Sequence, residues 1–351
     1  MASTSEPQRS SADARSPRDW EQAAAEEPVD TEPSLSQRFF HRRTLLSFLV
    51  GFGLLAFFFA RLDLDMGAVW GHLRGVNLGV FALGVGAYFL SFPVRGLRWR
   101  LLLTNVGLDR GGKLPSVWGL AEIILIGWFA NCIVPAKLGD AYRAYLLKKH
   151  AQVSFSSTAG TVVAERLADM MVLFGLLCLS ALTLLGGVNQ DKAALVVGLG
   201  FVLFLGIVSG IGLMRFFGHT LSHRLPARLQ PMYLRFHEGT LGSFRQLPLL
   251  VVLTIVVWLL EASRMYLVTR SLNLSLDFPF ILFVALANSL LTVVPFTPGG
   301  LGLVENGAAE LFLRAGVPKE LAFSLVLLDR GISYWGVVGS GFLVFLFSKK
   351  K

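Results

Sequence analysis

One apolar segment of this chain is interrupted by the stretch Asn131-Cys-Ile-Val-Pro135-Ala-Lys137-Leu-Gly139-Asp140. Pro135 ends a helix because it has no N–H to donate, and Gly139 permits the turn that follows. A short helix that begins near Gly139 would expose unpaired N–H groups able to bind an anion. Inside a membrane, irregular backbone is tolerated only where it is buried in protein or lines a cavity. The stretch therefore predicts a broken helix beside a cavity, with an ordinary surface loop as the alternative.

A second break of the same kind follows later, in the stretch Pro295-Phe-Thr-Pro298-Gly299-Gly300-Leu-Gly302-Leu-Val-Glu305. It again joins helix-ending prolines, flexible glycines and the start of a new helix. The residues predicted to break the two helices are Pro135, Gly139, Pro295, Pro298, Gly299, Gly300 and Gly302.

The composition indicates that both breaks lie in a membrane protein. Apolar residues make up 54% of the 351 residues and charged residues only 16%, whereas soluble domains carry about 25% charged residues. Several apolar stretches reach the roughly 20 residues needed to cross a hydrocarbon core about 30 Å thick. The net charge of +9 comes from basic residues in the loops between apolar segments, a pattern typical of loops beside anionic lipid. We therefore expect an all-α polytopic membrane protein without a nucleic-acid partner.

The chain divides into a tail and a transmembrane domain. Residues 1–37 are rich in Ser, Pro and acid, which predicts a disordered acidic tail. Residues 38–351 form the predicted transmembrane domain. Its eight apolar segments are approximately 44–60, 77–97, 115–134, 156–185, 193–214, 248–270, 279–297 and 321–347.

The loop charges predict that two of these segments do not cross the membrane. The loops 98–114 and 136–155 are both basic, which places both in the cytoplasm and requires segment 115–134 to enter and return on one side. The basic stretch 215–247 leads to the same conclusion for segment 279–297. We expect six full spans, two opposed re-entrant hairpins and cytoplasmic termini, with eight full spans as the alternative.

An internal repeat supports the two hairpins. Three landmarks recur at nearly constant separation: Arg98 with Arg264 (166 positions), Pro135 with Pro295 (160) and Glu165-Arg166 with Asp329-Arg330 (164). Repeat 1 then covers about 77–185 and repeat 2 about 248–347, with opposite orientations in this topology. Inverted repeats with broken helices that meet near mid-membrane are a recurrent transporter architecture.

Ionisable residues inside the apolar segments are the candidate functional residues. Each central Arg, Lys or Asp costs about 2.5–3.5 kcal/mol on insertion scales, so it persists where it is paired, hydrated or used. We expect Arg166, Arg264 and Arg330 to converge on a polar cavity, because the planar guanidinium binds phosphate through two hydrogen bonds. The alternative is that these groups form internal ion pairs that fix helix packing. The full set of candidate substrate-binding residues is Arg98, Asn131, Lys137, Asp140, Arg143, Glu165, Arg166, Asp169, Glu261, Arg264, Glu305, Asp329, Arg330 and Tyr334.

No signature of a catalytic, cofactor or metal site accompanies this set. The chain carries no P-loop, H-E-x-x-H, G-x-S-x-G or Rossmann fingerprint. Cys132 and Cys178 are predicted to be buried small hydrophobic residues rather than metal ligands or a disulfide. We therefore expect no cofactor, no metal and no catalytic residue.

Four spaced motifs together resemble the flippase-like membrane family typified by the transmembrane half of bacterial lysylphosphatidylglycerol synthase. They are Asn131…Pro135-Ala-Lys-Leu-Gly139-Asp140-Ala-Tyr-Arg143, Glu165-Arg166-Leu-Ala-Asp169, Pro295-Phe-Thr-Pro298-Gly299-Gly300-Leu-Gly302-Leu-Val-Glu305 and Asp329-Arg330…Tyr334-Trp335. The resemblance covers about residues 40–347. It implies movement of an anionic or aminoacylated phospholipid, or another polar-headed lipid, between the leaflets of a bacterial plasma membrane. The sequence ends soon after the last span, so we expect no lipid-synthesising domain.

Two other classes of function stay open. One is a lipid-modifying membrane enzyme that uses Glu165, Asp169 or Glu305 as general acid or base. The other is a scaffold of an envelope-assembly complex, with the acidic tail and the basic stretch 215–247 as partner sites. Besides the lipid itself, the expected partners are a second copy of the chain or a separate lipid-synthesising enzyme.

Overall fold

The computed structural model describes residues 64–109, 114–134, 138–185, 190–292 and 297–348, with a few isolated positions between 46 and 57. The predicted tail 1–37, most of the first predicted span, Pro135, Lys137, Pro295 and the terminal lysines lie outside the described residues. Twelve α-helices account for nearly all of the described chain. They are α1 (Met66–Arg74), α2 (Leu78–Asn105), α3 (Val117–Ile133), α4 (Leu138–Ala151), α5 (Phe155–Leu185), α6 (Gln190–Arg224), α7 (Gln230–Gly242), α8 (Leu247–Ser271), α9 (Phe278–Leu291), α10 (Leu303–Arg314), α11 (Lys319–Arg330) and α12 (Val337–Phe347).

Helix lengths separate full spans from shorter elements. Within the described residues, five helical stretches are long and apolar enough to cross a membrane: 78–105, 155–184, 197–224, 230–271 and 319–347. The last stretch joins α11 and α12 through a π-helical turn at Gly331–Gly336. These stretches coincide with five of the six predicted full spans. The prediction of an all-α polytopic membrane protein is therefore confirmed.

The two segments predicted to re-enter are shorter than a bilayer core. Helix α3 has 17 residues and α9 has 14, which gives lengths of about 26 and 21 Å at 1.5 Å per residue. Each packs against the short helix that follows it, α3 on α4 and α9 on α10. Both segments are thus helical hairpins whose first arm falls short of the roughly 30 Å hydrocarbon thickness.

The repeat is visible in how α2 and α8, the first helices of the two halves, pack on each other. Contacts join Gly84 of α2 to the Leu267–Val268 region of α8. Further along, Arg95 pairs with Glu261, and Arg98 donates to Thr254. Positions rise along α2 as they fall along α8, so the two helices are antiparallel. Equivalent helices that run in opposite directions give the two halves the opposite orientations that the sequence predicts.

Each hairpin packs against the last long helix of the other half. Helix α3 of the first half packs on α12 of the second, and α9 of the second half packs on α5 of the first. This reciprocal packing is what a pseudo-twofold axis between α2 and α8 produces. It brings the tips of both hairpins to the middle of the molecule.

Two sequence-based assignments of loops are wrong. Helix α2 continues to Asn105, so Arg98 lies inside a helix and is fully buried, not in a cytoplasmic loop. Arg143 is also buried, at 1% exposure, and lies in helix α4, so it is not a loop charge either. The stretch 215–247 is mostly helical, because α6 extends to Arg224 and α7 follows after a break near Pro226. Because Arg98 and Arg143 are buried and paired, they do not indicate on which side of the membrane a loop lies. The assignment of the two hairpins therefore depends on the short lengths of α3 and α9.

Candidate functional site

The tips of the two hairpins touch at Tyr334, which lies in the π-helical turn. The Tyr334 hydroxyl donates to the Cys132 carbonyl at the end of α3, over 3.1 Å. Gly299, in the second break, lies against the Tyr334 ring so closely that a Cβ there would come within 2.7 Å of it. Gly299, Gly300 and Gly302 all have positive φ angles of 58–86°, a conformation that glycine adopts without steric cost. The glycine-rich break therefore allows the second hairpin to reach the first.

A cavity of about 190 Å³ lies where the tips meet. Both hairpins, α2, α5, α8 and α11 contribute to its wall. Its charged lining consists of four arginines and three carboxylates: Arg95, Arg166, Arg264, Arg330, Asp169, Glu261 and Asp329. The three arginines expected to converge, Arg166, Arg264 and Arg330, thus line one chamber, drawn from both halves of the chain.

The first half holds its charges in a closed network. Arg98 donates to Glu165 at 2.7 Å and to Asp169 at 2.6 Å. Arg143 donates to the other Glu165 oxygen at 2.9 Å and stacks over the Trp99 ring. Arg166 forms a two-pronged pair with Asp140 at 2.7 and 2.9 Å. Three arginines and three carboxylates leave this network electrically neutral.

The second half repeats two of these pairs at equivalent positions. Arg264 contacts Asp329 at 3.0 Å, as Arg98 contacts Glu165 in the first half. Arg330 donates to Glu305 at 2.6 Å, as Arg166 donates to Asp140. Arg330 also donates to the Gly299 carbonyl at 3.1 Å, which ties the broken backbone to the wall of the cavity.

One further pair joins the halves. Arg95 donates to Glu261 at 2.8 Å, and its guanidinium lies 4.5 Å from the centre of the Trp128 ring. Arg95 and Glu261 are 166 positions apart, the same separation as Arg98 and Arg264. They occupy equivalent places in the two halves, so the pseudo-twofold axis passes between them.

One backbone N–H at each of the two helix starts is held by a side chain of the same hairpin. The Asn131 side chain accepts the N–H of Gly139 at 2.8 Å, and the Glu305 carboxylate accepts the N–H of Gly302 at 2.7 Å. The expectation of exposed donors at these two glycines is therefore wrong. An unpaired N–H at membrane depth costs several kcal/mol. In each hairpin a side chain of the same hairpin accepts the N–H and avoids that cost.

The candidate residues fall into three groups. Those that line the cavity are Asn131, Arg166, Asp169, Glu261, Arg264, Asp329, Arg330, Tyr334 and Gly299. Those that lie behind the wall and hold lining residues or the breaks in place are Arg98, Asp140, Arg143, Glu165, Glu305, Gly139, Pro298, Gly300 and Gly302. Lys137, Pro135 and Pro295 are outside the described residues.

Sequence reasoning missed several lining residues. Arg95 lies within the predicted apolar span 77–97, and an arginine in such a span is itself a functional signal. Asn288 was overlooked in α9, an otherwise almost wholly apolar helix. Trp128, Trp258 and Thr297 also line the cavity, and no spacing distinguishes them from other residues of their type.

No group of three or more His, Cys, Asp or Glu side chains able to hold a metal ion occurs in the part of the chain that the structure describes. Cys132 is buried at the tip of the first hairpin, and Cys178 is partly buried; both are free. What the cavity offers chemically is hydrogen bonding and charge.

The fold and the cavity define a polytopic α-helical membrane protein built from inverted repeats. The chain belongs to the family described as the lysylphosphatidylglycerol synthase TM region, whose family model matches residues 44–341.

Several archaeal proteins are similar to this chain. A UPF0104 membrane protein of Methanocaldococcus jannaschii is 36% identical over 222 residues, which cover 62% of this chain and 93% of that protein. A UPF0104 membrane protein of Methanothermobacter thermautotrophicus is 23% identical over 320 residues, covering 84% of this chain and 92% of its own. The glycosyltransferase AglD of Haloferax volcanii is 24% identical over 322 residues, which cover 79% of this chain and 50% of AglD. No solved structure gives a significant match.

Proposed function

We propose that this protein moves a polar-headed lipid between the two leaflets of its membrane. The observation that carries the proposal is the central cavity, where both hairpin tips meet and four arginines from both halves line the wall. The head group would pass through this chamber while the acyl chains stay in the bilayer. Membership of a family named for the membrane region of a lipid synthase supports a lipid as the substrate.

Arginine fits this role because it stays charged in a low-dielectric site and binds phosphate in a planar, two-pronged manner. The lining arginines outnumber the lining carboxylates by four to three. Asp140 and Glu305 hold Arg166 and Arg330 from behind the wall, so the charges of the site balance, and a phosphate would share these guanidinium groups with their carboxylates.

A leaflet-translocation assay in reconstituted vesicles tests the proposal. Fluorescent phosphatidylglycerol is placed in both leaflets, and the fraction that an impermeant reductant bleaches is followed with time. We expect Arg330→Ala and Arg166→Ala to slow translocation about 10- to 100-fold, which corresponds to the 1.5–3 kcal/mol of a hydrogen bond to a charged group. Arg314→Ala is the matched control, since Arg314 pairs with Glu310 on the surface with 75% of its side chain exposed.

Thermal unfolding in detergent separates loss of transport from loss of fold. Variants that unfold near the temperature of the unaltered protein but no longer move lipid support the proposal. Unchanged translocation in both Arg330→Ala and Arg166→Ala would remove the proposed role of the cavity arginines.

The proposal includes no bond-making step. Every carboxylate that lines the cavity has an arginine nitrogen within 3.0 Å, from Arg98 to Asp169, Arg95 to Glu261 and Arg264 to Asp329. These carboxylates are engaged in ion pairs within the protein, which supports transport over a lipid-modifying activity. Conversion of labelled lipid by the purified protein would contradict this part of the proposal.

We also propose that both termini face the cytoplasm. The basic cluster at residues 38–43 and the terminal lysines support this orientation under the positive-inside rule. A chain in which Cys132 and Cys178 are replaced by alanine, with Ser5→Cys or Lys351→Cys added, should react with impermeant maleimide only after the cell is lysed. A bacterial plasma membrane remains an expectation from the resemblance, since the three similar proteins named above are archaeal.

A further inference from the structure

Arg330 contacts three parts of the second half at once. Its Nε donates to the Glu305 carboxylate at 2.6 Å, and its Nη2 donates to the Gly299 carbonyl at 3.1 Å. Its guanidinium also lies 4.9 Å from the centre of the Tyr334 ring. Among the described residues, the third nitrogen, Nη1, has no bonded acceptor. Because Arg330 also lines the cavity, it connects the cavity to the break between α9 and α10.

Two of these partners belong to the contact between the hairpin tips. We call the contact of Cys132, Gly299 and Tyr334 the tip junction. The Tyr334 hydroxyl bonds the Cys132 carbonyl, and a Cβ at Gly299 would lie 2.7 Å from the Tyr334 ring and 3.6 Å from Cys132 Sγ. Arg330 bonds one member of the junction and stacks on another, so a displacement of Arg330 is transmitted directly to it.

A phosphate in the cavity competes with Gly299 for this guanidinium. Arginine binds phosphate in a fork through two of its nitrogens. Because Glu305 holds Nε through a charge-assisted bond, the pair that remains is Nη1 and Nη2. The phosphate then shares Nη2 with the Gly299 carbonyl, which is neutral and the weaker acceptor. The guanidinium therefore shifts towards the phosphate at the expense of its bond to Gly299.

The equivalent arginine of the first half is bonded differently. Arg166 donates through both Nε and Nη2 to the two carboxylate oxygens of Asp140, a side chain of α4. Arg330 gives only Nε to the equivalent Glu305 and gives Nη2 to the backbone of the break. The described contacts thus place a link between the cavity and a hairpin tip in the second half.

The break is built so that it can respond to loss of this link. Its backbone hydrogen bonds are local to the turn and run from Gly300 N–H to Thr297 O and from Leu301 N–H to Pro298 O. Such bonds move with the turn and do not hold it to another helix. The bond from Arg330 to Gly299 does hold it, to α11. Loss of that bond frees the turn to move away from Tyr334.

We infer that Arg330 couples the binding of a lipid phosphate in the cavity to the separation of the two hairpin tips. This inference rests on the proposed function and gives it a conformational step. While Arg330 bonds Gly299, the tip junction stays closed. When the phosphate takes the guanidinium, Gly299 is released from Tyr334, and the head group passes between the tips.

The reactivity of the Cys132 thiol tests the inference. Cys132 is 7% exposed and lies at the junction, so maleimide should reach it when the tips part. Cys178→Ala leaves it as the only thiol of the chain. In detergent, we expect phosphatidylglycerol to raise the labelling rate about tenfold, the equilibrium effect of one hydrogen bond to a charged group. Diacylglycerol, which lacks phosphate, should leave the rate unchanged. An unchanged or lowered rate with phosphatidylglycerol would overturn the inference.

Arg330→Lys in the same background separates coupling from support of the fold. Lysine keeps a charge for Glu305 but has no planar fork to share between Gly299 and a phosphate. We expect labelling that is already fast without lipid and that phosphatidylglycerol raises less than about twofold. Arg314→Lys is the matched control, because Arg314 is exposed on the surface, and it should keep the full response. A full response in Arg330→Lys would contradict the coupling.

Tyr334→Phe is a second variant, which decides the question if Arg330→Lys unfolds. It removes the hydroxyl that bonds Cys132 and keeps the ring beside Gly299. Labelling without lipid should become faster, and phosphatidylglycerol should raise it further because Arg330 is intact. A lipid-free rate equal to that of the unaltered protein would show that the junction does not seal Cys132, which overturns the inference.

A cross-link between the tips tests whether they must separate during transport. Gly299→Cys brings a second thiol within disulfide reach of Cys132, given the 3.6 Å from its Cβ to Cys132 Sγ. In the Cys178→Ala background, oxidation should stop translocation of phosphatidylglycerol and a reductant should restore it. The same variant with Cys132→Ala added should not respond to oxidation. Equal rates in the oxidised and reduced protein would overturn the inference.

The two readouts keep this inference distinguishable from the proposed function. Lipid-dependent labelling without any translocation would refute transport and leave the coupling in place. Translocation without lipid-dependent labelling would refute the coupling and leave transport in place. Inorganic phosphate distinguishes the free ion from the lipid: labelling that it accelerates and that phosphatidylglycerol does not would overturn the assignment to a lipid.

Discussion

Two ion pairs recur at equivalent positions in the two halves of this protein, but their surroundings differ. The Arg98–Glu165 and Arg166–Asp140 pairs of the first half correspond to Arg264–Asp329 and Arg330–Glu305 in the second. In the first half Arg143 and Asp169 add two more charges to the network. The corresponding positions in the second half are the small residues Ala308 and Ser333.

This difference concerns the central arginine–carboxylate pair of each half. The added Arg143 fills the space behind Glu165 and closes the first network, which leaves Arg98 fully buried. The second half has no such filler, and its pair Arg264–Asp329 lines the cavity. The central pair of the first half is therefore sealed behind the wall, whereas the equivalent pair of the second half lines the cavity.

The largest expected difference between the halves concerns their central carboxylates. Glu165→Gln leaves Arg98 with Asp169 as its one carboxylate partner and Arg143 with only the distant carboxylate of Asp140, at 3.9 Å. Breaking a buried pair in this way costs about 3–5 kcal/mol. Asp329→Asn should cost only about 1–3 kcal/mol, because Arg264 keeps Glu261 at 3.7 Å and faces a cavity.

Thermal unfolding of both variants in one detergent measures this difference. The midpoint temperature should fall further for Glu165→Gln than for Asp329→Asn. An equal or larger fall for Asp329→Asn would mean that the second network, not the first, fixes the fold.

The next difference concerns how tightly each hairpin is closed. A Cβ at Gly139 would lie 1.9 Å from the Gly127 carbonyl oxygen, which is backbone and cannot move away. A Cβ at Gly307, in the second hairpin, would lie 2.4 Å from the end of the flexible Leu291 side chain. Gly139→Ala should therefore cost about 1–3 kcal/mol or more, and Gly307→Ala less, since Leu291 can change rotamer.

Unfolding temperatures again provide the measurement for the two hairpins. Gly175→Ala is the control, because Gly175 lies in α5 with no atom near its missing Cβ, and alanine favours the helix by up to about 1 kcal/mol. Equal losses from Gly139→Ala and Gly307→Ala would show that the two hairpins are equally close-packed.

The smallest effect is expected from the pairs beside the breaks. The Arg166 and Asp140 side chains are 31% and 18% exposed, whereas those of Arg330 and Glu305 are 9% and 13% exposed. Asp140→Asn should cost less than about 1 kcal/mol because solvent screens the pair. Glu305→Gln should cost about 1–3 kcal/mol, although the amide oxygen can still accept the Gly302 N–H.

Unfolding at raised salt concentration tests whether Asp140→Asn removes a screened ion pair and Glu305→Gln a buried one. The stability difference between the unaltered protein and Asp140→Asn should shrink between low and high salt, while that for Glu305→Gln should stay nearly constant. The opposite salt dependence would mean that the Arg330–Glu305 pair, and not the Arg166–Asp140 pair, is the one that solvent screens.

The sequence predicted the membrane fold and the repeat with good accuracy because both follow from local patterns. Apolar length marks the spans, and the landmarks near Arg98 and Arg264 mark the duplication. The loop-charge argument reached the two hairpins partly through Arg98 and Arg143, which are buried in ion pairs. Loop charge indicates side only for residues that lie in loops, and one sequence does not show where a helix will extend past its apolar stretch.

The cavity itself was predicted less completely. The convergence of Arg166, Arg264 and Arg330 was expected because a charge in an apolar span must find a polar environment. Asn288, Thr297 and Trp258 were not expected to take part, since nothing in their spacing sets them apart. They line the cavity because of how the second hairpin and α8 pack, which is a property of the packed structure alone.

The sequence alone thus determined that the chain is a membrane protein, that it is built of two related halves and that its intramembrane charges must be sheltered. These properties depend on transfer free energy and helix period, which each segment carries by itself. Only the tertiary structure decided which charges neutralise one another and which face open space. That choice depends on contacts between residues 22 to 166 positions apart, which form only when α2 and α8 pack antiparallel and each hairpin packs on a helix of the other half.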